Sequence, residues 1–414
     1  YDSHSIVKWG DSDYVEYLSK GFQTVKQRIP SVFVQDSWKL FHNLRLLAGL
    51  RWDGQYIVGS DGNVAQEVTI PIQPRIGITY IPDNEGLNKI YGSFGRYSQE
   101  FSLGNSTGLF SDQGYSYEIY YSQDPRIDKS GADTSFYPQV FFPEEEGLRG
   151  QYSDEFSLGY ERIIGNNIEI GVQGVYKILQ EAIDDGYVVA EGRFRIGNPG
   201  RGTLSDFPRP ERKYTALILS IEQRNAEHFN FMVSYVLSRN YGNYEGLFDA
   251  ITHGEFPNRN SALNNPSLAP INTTGLLPND RTHLFKFSGS YRLSFGLVFG
   301  VSFIAQSGTP LSDFAALWYG IKFLSPRGSE GRTPAIWDLN ARVMYELNFL
   351  SSWQTKLILD IFHIASQQEA VDISQFHYFD LDENGNPTNP NPSYGKAYRY
   401  QQPMSVRLGI EVNF

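Results

Sequence analysis

Few residues in this chain of 414 are spaced for chemistry. The best-spaced set is Asp380, Asp382, Asn384, Gly385 and Asn386, which occupy positions 1, 3, 5, 6 and 7 of a calcium-type loop. Oxygen side chains at alternate positions, with glycine where the chain turns sharply, can wrap a hard cation. Position twelve is Asn391 instead of glutamate, and no helix flanks the run. The competing reading is a polar hairpin tip with Asn384-Gly385 turn chemistry. Calcium is the only cofactor the sequence raises, and the hairpin tip is the plainer reading. Glu144, Glu145 and Glu146 could hold a divalent cation or repel anions, although such a run is ordinarily a solvated loop. Tyr115, Tyr117, Tyr120 and Tyr121 could stack on a sugar or a peptide, or simply pack a loop. The seven histidines are scattered with no zinc-ligand spacing, and there is no cysteine. No nucleophile elbow, phosphate loop or dinucleotide glycine loop is present. The expectation is a protein that is not an enzyme.

The elements that carry these residues are strands. No apolar run reaches the roughly 18–20 residues of a spanning helix. That excludes a helical membrane protein but not a barrel, whose strands are apolar on one face only and average out polar, in keeping with a mean hydropathy of −0.38. Aromatic content is 15%, with 27 Tyr, 28 Phe and 39 Gly against 3 Met, a balance that favours sheet. A net charge of −11 argues against nucleic acid as a partner.

Alternation of period two recurs along the chain. Val406, Leu408, Ile410, Val412 and Phe414 alternate with Ser405, Arg407, Gly409, Glu411 and Asn413. Similar rhythms run through Leu44–Trp52, Ile168–Tyr176, Phe229–Leu237, Leu297–Phe303 and Ala335–Leu347. About 13 strands are predicted, near 31–40, 43–58, 73–82, 89–101, 152–164, 167–181, 213–225, 229–240, 281–293, 296–310, 335–348, 353–365 and 403–414. Many are longer than the usual soluble strand of about 5–6 residues. Their connections alternate between short turns and long polar loops (60–72, 102–150, 182–212, 241–280, 311–334 and 366–401). Short inner turns and long outer loops are the outer-membrane arrangement. Trp38, Trp52, Trp337, Tyr345, Phe349 and Trp353 suit aromatic girdles at the two interfaces.

Phe414, an aromatic last residue in an alternating strand, reads as the signal for the barrel-assembly machinery. With that end inside, an even-stranded barrel needs at least one more strand before Ser31. Residues 1–30 show no clear period and read as the remnant of an outer loop, with residues 31–414 the barrel.

Four stretches resemble the TonB-dependent outer-membrane receptors, and within them the Oar-like subgroup. The first is Ser31-Val-Phe-Val-Gln-Asp-Ser-Trp-Lys39 with Asn43-Leu-Arg-Leu-Leu-Ala-Gly-Leu-Arg-Trp-Asp53. The second is Pro74-Arg-Ile-Gly-Ile-Thr-Tyr80 with Tyr91-Gly-Ser-Phe-Gly-Arg-Tyr97. The third joins Tyr214–Leu217 and Ser234–Arg239 to Asn279-Asp-Arg-Thr-His283 and Gln306-Ser-Gly-Thr-Pro310. The fourth, Asp360-Ile-Phe-His-Ile-Ala-Ser366, stands where the family tends to have Phe-Asn-Leu-Phe-Asn, with His363 and Ser366 in place of asparagine.

The resemblance implies the C-terminal portion of a 22-stranded barrel with a plugged lumen. It implies a Gram-negative outer membrane, lipid around the strands and extracellular long loops. It also implies uptake or handling of a bulky ligand, powered by an inner-membrane coupling complex. The energy would arrive through a plug that these residues do not include. A partner protein could also meet the outer loops. The alternative is a structural or partner barrel in a larger envelope assembly, and a third is a soluble carbohydrate-binding β-sandwich.

Overall fold

The computed structural model describes residues 2–9, 13–20, 25–59, 62–101, 115–138, 147–165, 167–188, 190–191, 193–223, 226, 228–246, 270–317, 320–350 and 353–413. Thirteen strands form one antiparallel sheet in chain order, each paired with its neighbours in sequence. They are β1 (Ser31–Phe41), β2 (Leu44–Asp53), β3 (Gln73–Tyr80), β4 (Asn88–Gln99), β5 (Gln151–Ile164), β6 (Ile168–Glu181) and β7 (Arg212–Gln223). Then follow β8 (Phe229–Gly242), β9 (His283–Arg292), β10 (Leu297–Gln306), β11 (Ile336–Leu350), β12 (Trp353–Phe362) and β13 (Ser405–Asn413). A two-residue strand, Gly275–Leu276, extends the sheet at the outer end of β8.

The period-two pattern explains this sheet. Register places like faces together: Val406, Leu408 and Ile410 of β13 lie opposite Ile361, Leu359 and Leu357 of β12. The same apolar row continues through Leu339, Val343 and Tyr345 to Phe303, Phe299 and Leu297. This face stays open even on the interior strands, with Phe299 44% and Leu357 40% exposed, and on the edge strand Leu408 reaches 80%. In water so large an apolar belt would be a severe liability; against lipid it is the stable arrangement. On β6 the apolar row runs from Ile168 to Ile178, ten steps that give about 25 Å of height at the usual rise and tilt. That matches the hydrocarbon band. Exposed aromatics mark its edges, Phe41, Tyr80, Phe229 and Tyr291 at one end and Trp52 and Tyr176 at the other.

The connections bear out the polarity read from the sequence. Short turns join β1–β2, β3–β4, β5–β6, β7–β8, β9–β10 and β11–β12. Long excursions follow β2, β4, β6, β8, β10 and β12. The edges β1 and β13 both run toward the short-turn end.

Three expectations need correction. The stretch 43–58 is not one strand: β2 stops at Asp53, and Gln55–Val58 joins Lys26–Arg28 and Val64–Val68 in a separate small sheet. The break is at Gly54, whose amide bonds to the Pro30 carbonyl at 2.9 Å. A Cβ there would lie 3.0–3.2 Å from Tyr56, Trp52 and Pro30. Residues 1–30 are not without regular structure, since Asp2–Trp9 and Asp13–Lys20 pair as a hairpin. That hairpin joins Tyr115–Tyr121 and Asp133–Pro138 in a four-stranded sheet. Nor are the long loops bare: Asp184–Val188 with Arg193–Gly197, and Phe314–Leu317 with Gly320–Phe323, Phe376–Leu381 and Pro387–Pro390, form further sheets. Short strands with mixed composition carry too few alternations to stand out in sequence.

Candidate functional site: the lumen wall and the outer cap

The polar face of the sheet is built from cross-strand charge pairs. Antiparallel register sets Arg342, Asp360 and Arg407 in one row. The Arg342 guanidinium donates to both Asp360 oxygens, at 2.6 and 3.1 Å, and Arg407 donates to Oδ2 at 2.7 and 3.0 Å. Lys356 meets Glu411 at 2.8 Å, Arg292 meets Glu346 at 2.7 Å and Lys89 meets Glu161 at 2.7 Å. Small residues open a groove between these rows. It holds about 680 Å³ and is lined by Ser288, Ser290, Gly300, Ser302, Asn340 and Arg342 among others. A wall of paired charges and hydroxyls suits a wet channel or a polar protein surface, and it has no place in lipid.

At the long-loop end the first excursions share one core. Val25 precedes β1. Ile57, Val68 and Ile70 follow β2, Phe101 and Leu148 follow β4, and Ile183 and Ile196 follow β6; all eight are buried together. Side-chain amides tie the same segments. Gln55 Nε2 donates to the Phe101 carbonyl at 2.9 Å while Phe101 N donates to Gln55 Oε1 at 3.1 Å. Asn198 does likewise with Arg149, accepting from its amide and donating to its carbonyl, both at 2.8 Å. Tyr244 is fully buried, and its hydroxyl donates to Gln151 Oε1 at 2.8 Å.

The later excursions are tied by charge. Arg327 forms a buried ion pair with Glu245 and donates to the Thr273 carbonyl at 2.6 Å. Asp280 accepts from Asn240 N at 2.6 Å and from Arg332 at 2.5 Å. This gives the Asn279–His283 stretch its structural work. The Gln306–Pro310 stretch has a steric reason: a Cβ on Gly308 would fall 1.7 Å from the Thr333 carbonyl oxygen. Sequence reasoning missed Glu245, Arg327, Asn198 and Tyr244. Arg327 lies 82 positions from Glu245, and no local pattern announces such a partner.

The four tyrosines share one strand, not an irregular loop. Strand alternation puts Tyr120 on the face opposite Tyr121. Tyr121 is 4% exposed, and its hydroxyl donates to buried Glu16 at 2.7 Å. That bond and burial push its pKa up to about 12. Tyr120 is exposed, with its hydroxyl on Glu118 at 2.6 Å. The side chains of Tyr115 and Tyr117, the run Glu144–Glu146 and residue Phe414 lie outside the described residues.

Asp380 and Asp382 sit at the hairpin between Phe376–Leu381 and Pro387–Pro390. Asp382 Oδ1 accepts from the amides of Asn384 and Asn386 at 2.9 and 2.8 Å, and Oδ2 accepts from Asn386 Nδ2 at 2.9 Å. The Asn386 side chain, then its amide, holds the Asp382 carboxyl below the usual carboxylate range. Gly385 takes the left-handed conformation at φ +78°. Among the described residues no three His, Asp or Glu side chains gather as a metal shell.

His363 and Ser366 explain the fourth motif. Both have positive φ, 53° and 48°, a region that asparagine tolerates better than most residues. His363 donates its amide to Asn340 Oδ1 at 2.9 Å, and its ring nitrogens face the Gln367 carbonyl and the Asp338 carboxylate. The Gln367 carbonyl, then Asp338, raises the ring's pKa. A raised value in the fold means stabilisation that is full below about pH 6.5 and lost as pH rises through the raised value. Amide exchange at 363–367 is expected to be slower at pH 5.5 than at pH 8 after correction for intrinsic rates. His363→Asn should remove that difference; an unchanged difference would place the titration elsewhere.

An open-ended sheet with one lipid face, one charged face and all its large excursions at one end defines an outer-membrane β-barrel portion. Comparisons agree on the kind. The chain is 27% identical to the TonB-dependent transporter Oar of Myxococcus xanthus, an alignment that takes in 92% of this chain and 42% of that protein. The fold matches the FrpB iron transporter of Neisseria meningitidis with a TM-score of 0.56 at 10% identity, covering 99% of this chain and 54% of that one. It matches the outer membrane transporter YddB of Escherichia coli at 0.54 and 13%, covering 99% and 52%. The ferripyoverdine receptor of Pseudomonas aeruginosa gives 0.53 at 8%, covering 97% and 40%. No family model matches. The resemblance to TonB-dependent receptors of the Gram-negative outer membrane, drawn from the four stretches, is thus found over the length of the chain. The chain spans less than half of the Oar relative.

Proposed function

We propose that this chain forms barrel wall and ligand-capturing cap of a TonB-dependent receptor that takes up or handles a bulky ligand. One observation carries the reading. The large excursions stand at one end of a sheet whose inner face carries rows of ion-paired side chains. Ligand would meet the cap, where exposed side chains such as Tyr120 stand, and then pass along the charged wall. Energy would come from an inner-membrane complex acting through a plug seated against that wall.

Closure follows from direction. β1 and β13 run the same way, so antiparallel closure needs an odd number of further strands between them. A barrel of 22 strands meets this condition. Open edges are not tolerated in lipid, so both edges would be paired in the membrane.

The test uses the full-length receptor in its own cells, with fluorescently labelled polypeptide and ferric siderophore as probes. Accumulation of one probe that stops when a protonophore collapses the proton gradient is expected. Accumulation of neither, with envelope defects on deletion of the gene, would overturn transport in favour of a structural barrel.

A further inference from the structure

We infer that the outer rim of β6 and β7 holds a binding site for a phosphorylated lipid headgroup of the outer leaflet. The site is a cleft of about 210 Å³ lined by Arg201, Arg209, Arg212 and Lys213 together with Glu181 and Glu211. Basic residues outnumber acidic ones in its lining, in a chain whose net charge is −11.

The pairing inside the cleft leaves positive charge available. Arg201 is neutralised by buried Glu181 at 3.1 Å. Lys213 reaches Glu211 only at 3.5 Å, with both side chains nearly half exposed. Arg212, one step along the strand from Lys213, points to the opposite face and donates to the Glu245 carbonyl at 2.9 Å, so the available charge is that of Arg209 and Lys213. Arg209 is exposed and has no carboxylate partner among the described residues.

Depth selects the ligand. Lys213 lies in the same exposed row of β7 as Leu217, Leu219 and Ile221, the row that faces lipid. Its partner across the strands is Ile178, the top of the apolar band on β6. The cleft therefore opens just above the hydrocarbon, where headgroups lie and water is near. Arginine forks fit phosphate oxygens in pairs, and lysine adds a point charge. This inference stands apart from the transport reading and does not rest on it.

Native mass spectrometry of the full-length receptor in detergent tests it, with bisphosphorylated lipid A, its dephosphorylated form and inorganic phosphate as probes. The bisphosphorylated lipid should be retained and the dephosphorylated form released. Arg209→Gln with Lys213→Gln should weaken retention about 30-fold, from the usual contribution of a cation near a charged headgroup. Glu211→Gln should strengthen it. Unchanged heat-modifiable migration confirms that the variants fold. Equal retention of both lipids would overturn the site. So would indifference to the double substitution, or displacement of the lipid by stoichiometric inorganic phosphate.

Discussion

Replacing Arg327 by methionine is expected to lower the opening free energy of the cap segments 243–246 and 270–277 by about 3–5 kcal/mol. The side chains of Arg327 and Glu245 are 1% and 4% exposed. Removing the cation takes the opposite charge from the Glu245 carboxylate in a site that water reaches poorly, and it also takes a donor from the Thr273 carbonyl. A pair of this kind contributes little net stability, because both ions were desolvated to form it. Breaking one side is what costs. The double variant Arg327→Met with Glu245→Gln should therefore recover a large part of the loss. Hydrogen exchange on the folded receptor measures both. A single variant within about 1 kcal/mol of the parent would mean that Glu245 is solvated after all.

The second large effect separates the two faces of the sheet. Leu219 stands midway along the lipid row of β7, 44% exposed. Leu219→Arg should destabilise the receptor in bilayers by about 2–4 kcal/mol, the cost of a cation at the midplane. Ser302→Arg, on the groove side of β10, should change stability by only about 0.5 kcal/mol. Guanidinium unfolding from lipid vesicles, followed by tryptophan fluorescence, gives both values. Equal effects would mean that the two faces have been exchanged.

The barrel strands were legible because each carries several alternations, and a one-residue slip would turn its apolar row into the lumen. All thirteen were found from sequence, most within two residues at each end. Where ends were misjudged, as at Gly54 and His363, one residue's backbone conformation or contact overrode the alternation. The cap was not legible. Its strands are of three to eight residues, and their partners lie far away in sequence. Ile57 and Leu148 share a core without any local sign of it. The tyrosine cluster shows the same limit. Spacing found the four residues, but only pairing with Asp13–Lys20 reveals that Tyr121 is buried on Glu16 while Tyr120 stands on the exposed face with its hydroxyl on Glu118. The calcium-like spacing was also legible, and its geometry is that of a turn whose carboxylate is already claimed by amides.

The core shared by the segments around β1 to β6 sets a rule for how such a receptor can change. Ile183 and Ile196 pack with Val25, Ile57 and Phe101, so exchanging the segment between β6 and β7 for a foreign sequence would unseat three others. In this half of the cap new specificity cannot be acquired one loop at a time, as it is in an antibody. It must come from point changes on the exposed rim or from inheritance of these four segments as a block, and a laboratory graft would have to respect the same boundary.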